Sequence, residues 1–531
     1  MDEAKHQDAP ADERIDEPRA DAKVLDAIDL LERLAGDLRA LAELDEPLRI
    51  RLVTAAGQLS RPDRYSRKAL GKVLTRQRYQ ARREADRAVL DQTGIRALRR
   101  EPVFRTPLPR PEMALDAPVR DDEPDPWAAA EAERDATPRV ETARLCYVCK
   151  TDFHELHHFY DQMCPPCAEL NYAKRDQTAD LRGRVALITG ARVKIGYQAA
   201  IKLLRAGAEV VVATRFPRDA ARRFAREPDA ADWTPRLHVY GIDLRHTPSV
   251  EQWCQHLLAT LPRLDILINN ACQTVRRPAG WYDHVVAGEL EPWAQLPPPD
   301  RAILERNRAL CDGLGEGLVA TAGQEIRGGG LWKSAVLSQV PLLAEDLERG
   351  GHLYPSGRLD ADLQQVDLRD FNSWRMTLAE VPTAELLEVH LVNAVAPFVL
   401  NARLRPLLAA VPTRDAHVVN VSAMEGQFYR RWKTDKHPHT NMAKAALNMM
   451  TRTSAIDYVR DGIHMNSVDT GWVTDEDPAA HAARKTRIHG FHPPLDIVDG
   501  AARIVDPAFA GVTSGEHYWG VFLKDYKPAP W

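Results

Sequence analysis

The stretch Arg184-Val-Ala-Leu-Ile-Thr-Gly-Ala-Arg-Val-Lys-Ile-Gly196 decides the fold of this chain. Its apolar run predicts a buried β-strand, which is followed by a glycine turn and by a helix that continues through Leu203. In this order of elements, backbone N–H groups and the positive end of a helix dipole meet where a pyrophosphate can bind. The stretch therefore predicts a nucleotide-binding unit of strand, turn and helix.

Strand and helix signals alternate from Val185 onward. This alternation is typical of an α/β fold in which helices cover a parallel sheet, and we expect a Rossmann-like, doubly wound sheet. More than a hundred residues separate the strand that ends at Asn270 from the helix that contains Asn393. Because this length exceeds a normal connection, we predict an inserted subdomain or lid over residues 274–384. Four tryptophans indicate that part of it packs: Trp281, Trp293, Trp332 and Trp374.

The chain before this α/β part has a different composition. Apolar residues recur at helical spacing near the N-terminus, and we predict helices over Leu48–Leu59 and from Arg67 towards Leu90. A stretch rich in proline and charged residues follows and predicts a linker. The predicted regions are a helical region over 1–100, a linker over 101–140, a zinc-binding module over 141–180 and the α/β domain over 181–531.

The cysteine pattern predicts a metal site. Cys146-Tyr-Val-Cys149 and Cys164-Pro-Pro-Cys167 are separated by fourteen residues, close to a zinc-ribbon spacing. Two such hairpins can place four thiolates around one ion and complete the closed tetrahedral sphere of structural zinc. We therefore predict one structural zinc ion, held by Cys146, Cys149, Cys164 and Cys167. The nearby histidines, including His154, are interpreted as packing groups.

Five motifs, in order along the chain, resemble those of the short-chain dehydrogenase/reductase family. The resemblance covers residues 181–531 apart from the insertion, and it implies a dinucleotide site. The motifs are Thr189-Gly190 with Ile195-Gly196 in the glycine turn, Asp243-Leu244 after a strand, Asn269-Asn270-Ala271, Asn393 and Lys444. By this resemblance the acid of the second motif contacts adenine, Asn393 holds a proton-relay water, and Lys444 binds ribose. Lys194 replaces the family's middle glycine, where it either adds a cation beside the pyrophosphate or crowds it.

Charge indicates which cofactor binds. In this fold an acid at the end of the second strand binds the ribose 2′-hydroxyl of NAD, whereas arginine suits the 2′-phosphate of NADP. Here that strand ends in Thr214-Arg215, and Arg192 of the glycine turn points to the same region. Because a guanidinium group matches phosphate oxygens with two hydrogen bonds, we predict NADP(H). Surface arginines without a ligand are the alternative.

The chain departs from the family at two catalytic positions. Thr440 occupies the position of the family's tyrosine, and a threonine hydroxyl is far too weak an acid to replace a phenol of pKa about 10. Ala423 occupies the position of the family's serine, with Ser422 one place earlier. The segment between them contains Tyr429, our candidate for a displaced acid, with Ser422 or Thr440 orienting the substrate. An aromatic ring that only packs under the insertion is the alternative for Tyr429.

Two functions fit this pattern. The first is an NADP(H)-dependent oxidoreductase that acts on an unidentified carbonyl or alcohol with a non-standard acid, and Asn393 and Lys444 favour it. The alternative is an NADP(H)-binding pseudoenzyme that serves as a zinc-containing platform for a partner, and Ala423 and Thr440 favour that. We prefer the enzyme, because nucleotide sites in this fold usually serve chemistry, which is an analogy of fold alone.

Composition limits the partners. A formal net charge of −5 over 531 residues gives no electrostatic case for nucleic acid or an anionic membrane. The N-terminus has no apolar signal region, and no run of about 18 apolar residues occurs. The seven cysteines fit reduced thiols and metal better than disulfides. We therefore expect a cytoplasmic protein with a small-molecule substrate or a protein partner, and a homodimer is one option for its assembly.

Overall fold

The computed structural model describes residues 17–109, 138–314, 331, 333–348, 350–429 and 433–531. The chain divides into two compact units, residues 1–84 and 85–531. Helices α1 to α3 span Glu17–Gly36, Glu46–Ser60 and Arg64–Leu90, so the helices predicted at 48–59 and 67–90 form. The domain limits drawn from the sequence stay predictions.

An eight-stranded sheet forms the centre of the second unit. Its order is β10-β9-β8-β7-β6-β3-β4-β5, and pairing is parallel from β5 to β9 and antiparallel between β9 and β10. A hairpin of β1 and β2 precedes it. The strands are β1 Arg139–Leu145, β2 Asp152–Glu155, β3 Val185–Thr189, β4 Glu209–Thr214, β5 Leu237–Gly241, β6 Ile266–Asn269, β7 Ala416–Ser422, β8 Ile463–Asp469, β9 Phe522–Lys524 and β10 Lys527–Ala529.

Helices cover both faces of this sheet, so the predicted doubly wound α/β fold is confirmed. Every residue of β3 is buried, and Leu187 and Ile188 belong to separate cores on opposite faces. The helices are α4 Gly94–Arg100, α5 Pro165–Asp176, α6 Lys194–Arg205, α7 Pro217–Phe224, α8 Ala230–Trp233, α9 Thr247–Thr260, α10 Asp283–Glu289, α11 Pro298–Leu314, α12 Ser334–Leu337, α13 Thr383–His390, α14 Ala396–Ala409, α15 Pro438–Tyr458, α16 Ala479–His489 and α17 Ile497–Ser514.

The cysteine hairpin packs on the α/β part through a shared core and buried ion pairs. Tyr160 and Met163 of the hairpin region share an apolar cluster with Leu495 just before α17. Arg175 of α5 donates to Asp496 at 2.7 Å and to Asp499 at 2.8 Å at the start of α17. The hairpin region is therefore held against the α/β part of the chain at the start of α17.

The described parts of the insertion also pack against the α/β part of the chain. Trp281 is buried in a cluster around Phe216, Trp293 packs against the main core, and Trp374 stacks on His437 with ring centroids 3.9 Å apart. Trp332 lies outside the described residues. These contacts explain why the described parts of the insertion fold against the domain instead of forming an open loop.

One helical run, Thr383–Ala409, is long and apolar enough to cross a membrane, by length and composition alone. Core helices pass the same criterion. Leu400 and Leu404 of this run lie in the core beside the sheet, where α14 covers one face.

Candidate functional site

A cavity of about 1100 Å³ lies at the carboxyl ends of the parallel strands. It opens where β3 has β4 on one side and β6 on the other. In open α/β sheets this switch point is where ligands bind. The glycine turn, the insertion, the cysteine hairpin and the segment after β8 all contribute residues to its wall.

The glycine turn is shaped by close contacts that exclude side chains. Gly190 has a φ of +69°, and a Cβ on it would lie 2.7 Å from Cα of Ala271. A Cβ on Gly196 would lie 2.3 Å from Nδ2 of Asn270. Thr189 does not line the cavity, but its hydroxyl accepts hydrogen bonds from the backbone N–H groups of Asn270 and Ala271 at 3.1 and 3.0 Å. The turn and the Asn-Asn-Ala motif therefore form one rigid wall, and Ile195 lines the cavity beside it.

Lys194 takes the left-handed conformation, with a φ of +56°. This backbone geometry favours glycine, which the family carries at this position. Its side chain lines the cavity, where Glu476 is also found. Burial alone would raise the pKa of Glu476, but the charge of Lys194 helps to hold that pKa below its ordinary value. Lys194 therefore adds a positive charge to the cavity wall.

The two candidate arginines differ in their partners. Arg192 is buried and pairs with Asp219 at 2.7 Å, so its charge is already balanced. Arg215 is half-buried, donates to the hydroxyl of Tyr282 at 2.7 Å and lies over that ring at 4.8 Å. Among the described residues, no carboxylate lies within ion-pair distance of Arg215. Its remaining N–H groups are therefore available to an anion in the cavity.

Asp243 and Leu244 line the cavity at the end of β5. The Asp243 carboxylate pairs with Arg245 at 2.7 Å. Burial alone would raise the pKa of Asp243, but hydrogen bonds from Arg245 and its charge hold the pKa below its ordinary value. Asp243 is therefore ionised and fixed in position.

Three of the predicted catalytic residues lie near one another along the strand ends. Lys444 of α15 is 4% exposed and donates to the carbonyl of Val421 at 2.7 Å. Ser422 lines the same cavity, and its buried hydroxyl has no hydrogen-bond partner among the residues that the structure describes. Asn393 lies in a π-helical turn, and its amide bonds both backbone groups of Gln273, at 2.8 and 3.1 Å. Asn393 lies behind the cavity wall and positions the loop after β6.

The other two predicted catalytic residues are not brought to the cavity. Thr440 is 1% exposed, and its hydroxyl has no hydrogen-bond partner and does not line the cavity. Tyr429 is 94% exposed and lies outside the cavity. Among the described residues, none covers its ring. Tyr429 therefore lies outside the candidate site in this structure.

A phenol that sequence reasoning missed does line the cavity. Tyr147, between two of the cysteines, accepts a hydrogen bond from the backbone N–H of Trp472 at 2.9 Å. Trp472 belongs to the turn after β8. Burial, followed by the charge of Asp469, raises the pKa of Tyr147, and Lys524 opposes this shift. The only sequence signal was its place inside a metal-binding motif, which gives no indication of the cavity.

The four cysteines lie together. The four sulfur atoms are all within 4.8 Å of one another, and Cys149 and Cys164 are 3.6 Å apart. The backbone N–H of Cys164 donates to the sulfur of Cys146 at 3.4 Å. In tetrahedral zinc with Zn–S bonds of about 2.3 Å, sulfur atoms lie roughly 3.8 Å apart. The cluster therefore fits one zinc ion.

The parallel strands, with a glycine turn at their switch point, define a Rossmann-like α/β fold. The model of the short chain dehydrogenase family matches residues 184–285, and that of enoyl-(acyl carrier protein) reductase matches residues 367–492. Both matched regions resemble the short-chain dehydrogenase/reductase family.

Individual relatives were also found. Uncharacterized protein R665 of Acanthamoeba polyphaga mimivirus is 30% identical over 69% of this chain and 71% of its own length. Retinol dehydrogenase 14 of Mus musculus is 39% identical over 17% of this chain and 30% of its own length. The chain thus spans under a third of that dehydrogenase. Among solved structures, the RhlG/NADP active-site complex of Pseudomonas aeruginosa covers 65% of this chain and 95% of its own, with 19% identity and a TM-score of 0.40.

Proposed function

We propose that this protein is an NADP(H)-dependent oxidoreductase that reduces a carbonyl group or oxidises the matching alcohol. The observation that carries this proposal is the cavity at the switch point, which combines the glycine turn, Lys444 and Arg215, an arginine with no carboxylate partner in the described part of the chain. The family's members are oxidoreductases, which supports the reaction class.

NADP(H) is favoured over NAD(H) by the groups at the end of β4. Arg215 follows this strand and keeps N–H groups free for a 2′-phosphate, while Tyr282 holds its guanidinium group in place. Asp243, whose pKa the charge of Arg215 helps to lower, pairs with Arg245 at 2.7 Å, and Asp219 pairs with Arg192 and Arg223 at 2.7 and 2.8 Å. A 2′-phosphate therefore meets positive charge here. In this proposal Lys194 binds the pyrophosphate and Lys444 binds the ribose.

Tyr147 is our candidate for the proton donor, in place of the family's tyrosine. NADPH, when bound, supplies a hydride to the carbonyl carbon. The Tyr147 phenol gives its proton to the carbonyl oxygen, and the phenolate then takes a proton from solvent. Because burial raises its pKa, the phenol is protonated at neutral pH, as reduction requires. Ser422, with a buried hydroxyl that lacks a partner, orients the substrate oxygen.

We also propose that the four cysteines bind one structural zinc ion. Tyr147 lies inside the Cys-x-x-Cys loop, so an ion bound to Cys146 and Cys149 fixes the backbone on both sides of the phenol. Each purified chain should contain zinc at this site, and Cys146→Ser should lose it. A folded Cys146→Ser chain with the same zinc content as wild type would contradict this assignment.

The function is tested with a panel of aldehydes, ketones and alcohols. We expect oxidation of NADPH by at least one carbonyl substrate, and tighter binding of NADPH than of NADH in calorimetry. Turnover without NADPH binding would overturn the cofactor assignment. Binding of NADPH without turnover on any substrate would instead favour the partner-binding pseudoenzyme, which the family's missing serine and tyrosine at Ala423 and Thr440 would then explain.

A further inference from the structure

Three histidines lie close together at the amino ends of β7 and β8, at the opposite end of the sheet from the cavity. His417 is the second residue of β7, His464 is the second residue of β8, and His517 lies between α17 and β9. The other ends of these two strands, Ser422 and Asp469, line the cavity. Ser422 lies five positions after His417 along β7, a distance of about 17 Å. The cluster is therefore a separate site from the nucleotide cavity.

The three imidazole groups face one another closely. Their ring centroids are 5.4, 5.1 and 4.3 Å apart. Nε2 of His417 lies 3.1 Å from Nδ1 of His517, and one ligand nitrogen from each ring lies within 4.8 Å of the other two. Nδ1 of His464 lies 3.3 Å from the carbonyl oxygen of Ala416. That contact makes Nδ1 of His464 the donor and leaves its Nε2 with a free electron pair, as in metal-binding histidines.

The residues packed around the three imidazole groups leave space for an ion. His417 is 1% exposed, and its Nδ1 has no hydrogen-bond partner. Gly511 of α17 lies against the cluster, where a Cβ would come 2.4 Å from Nδ1 of His517 and 2.9 Å from Nε2 of His417. A side chain at position 511 would thus collide with the two nitrogens that approach each other. Because glycine has no side chain, those two nitrogens stay accessible to a small ion.

The charges around the cluster tolerate a cation. Arg184 lies nearby, but its guanidinium group pairs with Asp415 at 2.8 Å and Asp265 at 3.4 Å. Burial is the main cause that lowers the pKa of His417, His464 and His517.

We propose that His417, His464 and His517 form a second metal site, which binds one zinc ion through three imidazole nitrogens. With Zn–N bonds of about 2.0–2.1 Å, tetrahedral geometry places ligand nitrogens roughly 3.3 Å apart. The separation of 3.1 Å between His417 and His517 is close to this value, and the third nitrogen, which lies within 4.8 Å of both, needs a shift of at most about 1.5 Å. Three protein ligands leave a fourth position for water. The ion would connect two central strands to the segment that leads into β9.

The test is the zinc stoichiometry of the full-length chain, with Zn²⁺ itself as the probe. After equilibrium dialysis against Zn²⁺, elemental analysis should give two zinc ions per wild-type chain and one for His464→Gln or His517→Gln. Cys146→Ser should also retain one, at the histidine site. The matched control is His481→Gln, an exposed histidine of α16, which should retain both. In each variant of the histidine cluster, the Kd for the second zinc ion should be more than about 100-fold higher than in wild type.

A thermal unfolding series separates binding from misfolding. Added Zn²⁺ should raise the Tm of Cys146→Ser, whose histidine site is intact, and should not raise that of a double variant that also carries His517→Gln. Gly511→Ala should weaken the second site while leaving all three imidazoles present. Equal stoichiometry in wild type, His464→Gln and His517→Gln would overturn the proposal and leave the histidines as a hydrogen-bonded packing cluster.

Discussion

Replacing Arg215 by alanine should remove most of the preference for NADPH over NADH. The guanidinium group is held by Tyr282 at 2.7 Å, and among the described residues it has no carboxylate partner. One hydrogen bond to a charged group contributes about 1.5–3 kcal/mol. The Kd for NADPH should therefore rise about 10- to 150-fold in Arg215→Ala, while the Kd for NADH should change little.

Isothermal calorimetry with both nucleotides measures this directly. Arg215→Lys should fall between wild type and the alanine variant, because an ammonium group keeps the charge and loses the paired geometry. Arg205→Ala serves as the control, since Arg205 pairs with Asp229 at 2.7 Å away from the cavity. An NADPH-to-NADH affinity ratio that is the same in wild type and Arg215→Ala would refute the reasoning.

Two further substitutions test the frame of the site. Gly190→Ala should abolish nucleotide binding, because its φ of +69° and the contact of 2.7 Å with Ala271 leave no room for a methyl group; NADPH affinity equal to wild type in calorimetry would contradict this. Arg175→Met should lower the free energy of unfolding by about 3–5 kcal/mol, since it removes the ion-pair partner of two buried aspartates. Denaturant titration measures it, and Arg182→Met, an exposed pair, should cost less than about 1 kcal/mol.

The fold was predictable because its signals are local. The apolar run of β3, the turn at Gly190 and the helix that follows are neighbours in sequence, and the pattern of buried positions in β3 comes directly from its composition. The grouping of the four cysteines was predictable for the same reason, since their spacing alone allows them to meet.

The chemical part of the site was not predictable, because it depends on tertiary contacts. Tyr429 was chosen for its position along the chain, yet its ring is 94% exposed. Tyr147 accepts a hydrogen bond from the backbone N–H of Trp472, which is more than three hundred residues away in sequence. No local pattern links the two residues. The histidine cluster likewise joins His417 and His517, 100 residues apart.

The central claim is that the phenol within the cysteine motif donates the proton in an NADPH-dependent reduction. The most direct measurement compares the turnover of Tyr147→Phe, Tyr429→Phe and wild type at saturating NADPH on a carbonyl substrate that wild type reduces. Removing a general acid typically costs about 10²- to 10⁴-fold. We predict this loss for Tyr147→Phe with unchanged NADPH affinity, and wild-type turnover for Tyr429→Phe. Full turnover by Tyr147→Phe, or loss confined to Tyr429→Phe, would contradict the account.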